Sequence, residues 1–139
     1  MHKKILHGLD GSEGSFKALA EAIDLSRRYG AELHTISVEE IPRMPETLGE
    51  MIEEKNTANG FFKDAVEKAG RMAAAQGMEL RPHVFLGHEV HMIVEYVKQH
   101  GFDLLVIGFI GHSAIHERVM GSTCQSLVRL VPCTVLVVK

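Results

Sequence analysis

Asp103-Leu104-Leu105-Val106-Ile107-Gly108 is the stretch that decides the fold. An unbroken apolar run bounded by an acid and a glycine fits a strand covered on both faces, as in the middle of a parallel sheet. Upstream, Val90, Ile93, Val94 and Val97 recur at helical spacing, and Gly101 closes that helix. Downstream, Ser122 to Leu130 reads as a helix that stops before Pro132, and Thr134 to Val138 as a further apolar strand. Towards the N-terminus, Leu80 to Leu86 reads as a strand. A helical stripe of Phe62, Ala65, Val66, Ala69, Met72 and Ala73 precedes it, closed by Gly77. Glu39 to about Met51 holds Pro42, Pro45 and Gly49 and reads as a loop or a broken entry to that helix. Leu33, Ile36 and Val38 mark another strand. Phe16, Leu19, Ala20 and Ile23 mark the first helix, closed by Gly30 after Arg27 and Arg28, whose charges suit a helix C-terminus. Ile5 to Leu9 is the first strand.

Strand and helix therefore alternate four times, and a fifth strand follows. That order predicts an α/β fold: one domain over residues 1–139, with a doubly wound, five-stranded parallel sheet and helices on both faces. The last strand, Thr134 to Val138, is apolar and belongs at a sheet edge. An apolar edge invites pairing with another chain, so a homodimer through residues 134–138 is expected.

With 45% hydrophobic residues the chain can build a substantial core, and 139 residues suit a single domain. Net charge is −3, which gives no general attraction to nucleic acid or to an anionic membrane. No apolar run reaches 18 residues, and the N-terminal stretch lacks a signal-peptide core, so a cytoplasmic location is expected. Cys124 and Cys133 have no metal-type spacing and read as small core residues in a reducing compartment.

In open α/β sheets, ligands sit at the carboxyl ends of the strands, where the strand order reverses. Two loops here are rich in glycine and hydroxyls. One follows the first strand, Gly8-Leu9-Asp10-Gly11-Ser12-Glu13-Gly14-Ser15; the other runs from Gly108 through Gly111 to Gly121-Ser122-Thr123. Glycines let backbone approach a ligand, and a helix start offers unpaired N–H groups with a positive dipole end. The second loop thus reads as a phosphate cradle, or as glycines that only serve turns. Asp10 would repel bare phosphate, so it reads as a partner of Mg²⁺, water or a ribose hydroxyl, or as a cap before the first helix.

Familiar nucleotide motifs are absent. Gly8-x-x-Gly11-x-x-Gly14 is not the dinucleotide fingerprint, and no Walker-type loop occurs. A phosphate-receiving regulator would need several acids at neighbouring strand ends; the first strand offers Asp10 alone, and the third ends Phe85-Leu86-Gly87.

The chain resembles the universal stress proteins. The likeness is carried by Ile5-Leu-His-Gly-Leu-Asp10-Gly-Ser, by Gly30-Ala-Glu-Leu33, by Gly108-x2-Gly111-x9-Gly121-Ser122, and by Val131-Pro-Cys-Thr-Val-Leu-Val-Val138. The glycine pattern is similar to the mark of the family's ATP-binding branch. The resemblance implies a sheet of order 3-2-1-4-5, dimers through the last strand, and ATP as the ligand; Mg²⁺ belongs with it only on the reading in which Asp10 works through that ion. It implies Gly8 and Leu9 on the adenine side and Val38 meeting adenine through its backbone. Asp10 would lie near the ribose and phosphates, with Ile107 and Gly108 walling the ribose side. Gly111, His112, Gly121, Ser122 and Thr123 would hold phosphates.

His112 stands where relatives frequently carry Lys or Arg, and Phe109-Ile110 is apolar where many are polar. A neutral imidazole offers phosphate less charge than Lys, so affinity would be weaker or would rise as pH falls. His88 and His91 lie one helical turn apart, and His112 and His116 share the second loop. They read as solvated or capping side chains rather than metal ligands. No nucleophile with an adjacent base can be picked out. The expected role is a nucleotide-dependent stress-response module. Slow ATP hydrolysis or nucleotidyl transfer in the same crevice is the rival reading, and a nucleotide-free interaction module is another.

Overall fold

The computed structural model describes residues 1–40, 47–110 and 120–139. Its elements are β1 (Lys4–Gly8), α1 (Glu13–Tyr29), β2 (Glu32–Glu40), α2 (Leu48–Ala75), β3 (Leu80–Gly87), α3 (Glu89–His100), β4 (Leu104–Gly108), α4 (Ser122–Leu130) and β5 (Thr134–Val138). The five strands form one parallel sheet in the order β3-β2-β1-β4-β5. The alternation read from the sequence is therefore the architecture, and the implied strand order holds. Because β1 lies between β2 and β4, with Ile5 level with both Leu33 and Leu104, the chain reverses its winding beside β1. A crevice opens there at the carboxyl ends of the strands.

Period-two alternation along the strands feeds two cores. Ile5, Leu33, Leu104 and Val106 face α1 and α2, where Leu19, Ile23, Ala69 and Ala73 cover them. Leu6, Ile36, Leu105 and Ile107 face α3 and α4, where Ile93, Val97 and Leu127 cover them. Small residues on α1 and α2 let the helices lie close to the sheet, so burial of the branched strand residues is nearly complete. Each such side chain removed from water is worth roughly 1.5–3 kcal/mol.

Helix ends follow the local chemistry. The Ser12 hydroxyl accepts the Ser15 N–H at 3.1 Å and caps α1; Gly30 closes it at φ 64° with its N–H on the Ser26 carbonyl. Gly101 closes α3 at φ 67° in the same way. One expectation needs correction. The segment read as a loop to about Met51 is helical from Leu48, because the Thr47 hydroxyl accepts the Glu50 N–H at 3.0 Å. The Thr47-x-x-Glu50 spacing is a helix-start signal that outweighs Gly49. β5 lies at an edge, as expected, and among the described residues it pairs with β4 alone. No helix among them is long and apolar enough to cross a membrane.

Candidate functional site

The crevice holds a cavity of about 300 Å³ over the ends of β1, β2 and β4. Gly8, Leu9, Asp10, Val38, Ile107, Gly108, Gly121, Ser122 and Thr123 all line it. Nine of the eleven residues singled out in the sequence thus meet in one place, although they come from four separate stretches. The other two, Gly111 and His112, lie outside the described residues, as does His116.

The first loop is a tight turn. Gly11 sits at φ 82°, a conformation that glycine adopts freely. Asp10 Oδ1 accepts the Ser12 N–H at 2.8 Å and the Ser12 hydroxyl at 2.5 Å. Ser12, not Asp10, caps α1, and Asp10 fixes the cap in place. Leu9 is tied into the sheet: its N–H reaches the Ile36 carbonyl at 3.0 Å, and its carbonyl accepts from Ser37 Oγ at 2.7 Å.

Beneath this loop lies His7, fully buried. Its Nε2–H donates to the Ser15 carbonyl at 2.7 Å, while Nδ1 has no partner among the described residues. That pairing sets the proton on Nε2. Burial drives the His7 pKa down to about 4, against smaller upward pulls from the Ser15 carbonyl and Asp10. The ring is neutral at physiological pH and works as a strut under the cavity floor.

Gly108 also has a packing role that the sequence did not suggest. A Cβ there would stand 3.0 Å from the Gly14 carbonyl oxygen, and a Cβ on Gly14 would stand 2.7 Å from the Ile110 carbonyl oxygen. The bare backbone lets β4 and the first turn of α1 touch. The end of β4 and the start of α1 are thereby held over one cavity.

The start of α4 is set by the Gly121 N–H on the Phe109 carbonyl at 3.1 Å, with the Phe109 N–H on the Val138 carbonyl at 2.9 Å. Gly121 offers no capping side chain, and the first turn holds no acid. The other helix starts differ. Ser12 with Glu13 serves α1, Thr47 with Glu50 serves α2, and Glu40 serves α3. At α4, Ser122 and Thr123 face the cavity beside the positive end of the helix. That end suits an anion from outside the chain.

The opposite wall is acidic, which the sequence reading missed. Glu39, Glu40 and Glu89 join Asp10 there, and no Lys or Arg is among the described residues that line the cavity. Glu40 Oε2 accepts the Glu89 N–H at 2.9 Å, and its Oε1 pairs with His88 Nδ1 at 2.9 Å. Glu40 thus caps α3 from the end of β2. Partial burial alone would raise its pKa, but these two donors outweigh that, and the pKa is lowered. Glu89 goes the other way: burial first, then the Asp10 and Glu40 charges, raise it to about 7. Phe61 and Phe62 of α2 close the rim. The signal for these acids was their position at element ends, Glu39-Glu40 closing β2 and Glu89 opening α3.

Among the described residues, no group of three or more His, Cys, Asp or Glu is placed to hold a metal ion. Cys124 lines the cavity, but burial pushes its thiol pKa up, which disfavours the reactive thiolate.

Comparison with known proteins identifies the family and the fold. The family model described as "Universal stress protein family" matches residues 1–139. Universal stress protein YxiE of Bacillus subtilis is 30% identical over 150 residues, covering 100% of both chains. The structure of UspA from Lactobacillus plantarum superposes with a TM-score of 0.86 at 27% identity, covering 99% of this chain and 98% of that one. A universal stress protein of Archaeoglobus fulgidus solved in complex with dAMP shares the fold, with a TM-score of 0.68 at 18% identity over 100% of this chain and 98% of its own. On the match over its whole length, the chain belongs to the universal stress protein family.

Proposed function

We propose that this protein binds an adenine nucleotide, ATP, in the cavity beside β1, and that the bound state is read as a signal. The observation that carries this reading is the start of α4, which among the described residues has no capping side chain and no acid in its first turn, and which faces the same cavity as Asp10 and Val38. Phosphates sit at Gly121, Ser122 and Thr123, with Gly111 and His112 assigned to the same role. The ribose lies by Asp10, Ile107 and Gly108. The base lies against Gly8, Leu9 and Val38. A fold relative solved with dAMP supports a nucleotide of this class.

Asp10 is the carboxylate that would hold a Mg²⁺ borne by the phosphates. Bound Mg²⁺ would neutralise phosphate charge against the acidic wall. Asp10 would orient the ion, and the α4 start would orient the phosphates.

In this reading the protein is a cytoplasmic homodimer joined through residues 134–138, and nucleotide bound beside the 109–120 loop is what a partner recognises. Hydrogen exchange with and without ATP tests the signal. Protection of that loop by ATP is expected, and equal exchange in both states contradicts it.

A further inference from the structure

Which part of a nucleotide meets the acidic wall follows from charge. Phosphates are repelled by carboxylates and drawn to the α4 start. The part of the wall formed by Glu40 and Glu89 therefore takes the uncharged end, the base, while Asp10 stands at the ribose. Ile36, Val38 and Ile93 supply apolar surface beside that wall, which suits a purine ring.

The three carboxyls are not equivalent. Both oxygens of Glu40 are engaged by the Glu89 N–H and His88. Asp10 holds the Ser12 cap. The Glu89 side chain lines the cavity, yet among the described residues it makes no hydrogen bond and no ion pair. Its backbone is pinned by Glu40, so the carboxyl is presented to the cavity from a fixed helix start.

We propose that the Glu89 carboxyl reads the hydrogen-bonding edge of the purine and so sets which base the cavity accepts. The inference rests on the nucleotide reading given above. A protonated carboxyl shows a donor and an acceptor side by side; a carboxylate shows acceptors only. Adenine offers the ring acceptor N1 next to the N6 amine donor, which matches the protonated form. Guanine offers two adjacent donors, N1–H and the N2 amine, which match the ionised form. A carboxyl that changes form near neutrality therefore changes its preferred purine.

The surroundings place Glu89 in that position. Burial, followed by the Asp10 and Glu40 charges, brings its pKa to about 7. The charged and titratable groups facing it are Asp10 after β1, Glu40 at the end of β2 with Glu39 beside it, and His88 bonded to Glu40. No lysine or arginine lies among the described cavity residues to hold it ionised. Bound phosphates add negative charge and act in the same direction as Asp10 and Glu40.

Titration calorimetry of the full chain with ATP and with GTP, at pH 6 and pH 8, tests this. Neither base titrates in that window and the phosphates of both titrate alike, so the ratio of the two dissociation constants isolates the protein. The wild type is expected to prefer ATP at pH 6, with the preference falling by about a hundredfold at pH 8, because a group titrating near 7 loses about tenfold in its protonated fraction and gains about tenfold in its ionised fraction over that range. Glu89→Gln keeps one donor and one acceptor at every pH. It is expected to prefer ATP at both pH values with an unchanged ratio. A wild-type ratio that does not move with pH overturns the proposal, as does an equal shift in Glu89→Gln. ATP binding with a flat ratio removes this inference alone; no binding of either nucleotide at either pH removes the nucleotide reading with it.

Discussion

Gly108 and Gly14 meet backbone to backbone: a side chain on Gly108 would place its Cβ 3.0 Å from the Gly14 carbonyl oxygen. The contact joins the end of β4 to the first turn of α1, and so fixes the spacing of the two loops that frame the cavity. Backbone cannot yield as a side-chain tip does. Gly108→Ala is expected to destabilise the fold by about 2 kcal/mol, the range of overpacking. Gly60, inside α2, has open space where its Cβ would be. Gly60→Ala is expected to stabilise by roughly 0.5–1 kcal/mol, because alanine favours the helix. Urea unfolding of both variants gives the comparison, and equal effects would show that the close approach does not constrain the fold.

His7 makes stability depend on pH. Its folded-state pKa of about 4 lies below the unfolded value of about 6.5. The unfolded chain therefore binds more protons across that window. The contribution is complete above pH 6.5, is lost as pH falls towards 4, and changes no further below it. The loss amounts to about 3 kcal/mol. Gln at this position keeps an N–H for the Ser15 carbonyl but does not titrate. Between pH 7 and pH 4 the wild type is expected to lose about 3 kcal/mol more than His7→Gln in urea unfolding; parallel losses would remove His7 as the cause.

Glu40 substitutes for the cap that His88 does not supply. The His88 side chain makes no capping bond, and the Glu89 N–H goes instead to Glu40 Oε2 at 2.9 Å. Glu40→Ala is expected to cost about 1 kcal/mol, the usual worth of a lost cap. It also leaves Glu89 with one fewer carboxylate neighbour. The Glu89 pKa should therefore fall, as side-chain carboxyl NMR titration would show. An unchanged titration would mean that Glu40 does not act on Glu89.

β5 carries Val135, Leu136, Val137 and Val138 at the sheet edge, half-buried. If a second copy pairs there, sedimentation should give twice the 15.4 kDa of one chain. Val137→Lys should shift the population towards the single-chain mass, since charge on an edge opposes pairing. A single-chain mass for the wild type at high micromolar concentration contradicts the dimer.

The sequence made the alternation of elements legible because hydrophobic period and helix-closing glycines pointed the same way. Gly30 and Gly101 stop their helices in the left-handed region, and α4 runs from Ser122 to Leu130 as read. The first half of α2 was hidden, because Pro42, Pro45 and Gly49 speak for a loop and only the Thr47–Glu50 pair speaks against it. That Gly8 to Asp10 and Gly121 to Thr123 line one cavity was legible once the strand order brought β1 beside β4. The acidic wall was not, because Glu40 and Glu89 are remote in sequence and meet only through the parallel pairing of β2 with β3. His7 looked like one of many histidines; only its burial sets it apart.

Calorimetric titration of the protein with Mg-ATP, alongside Gly121→Val, bears most directly on the central claim. One saturable site per chain is predicted for the wild type. The variant should keep the fold and lose the site, because a branched side chain at the α4 start fills the space of the phosphates. Heats indistinguishable from dilution at millimolar nucleotide, or equal binding by Gly121→Val, would contradict it.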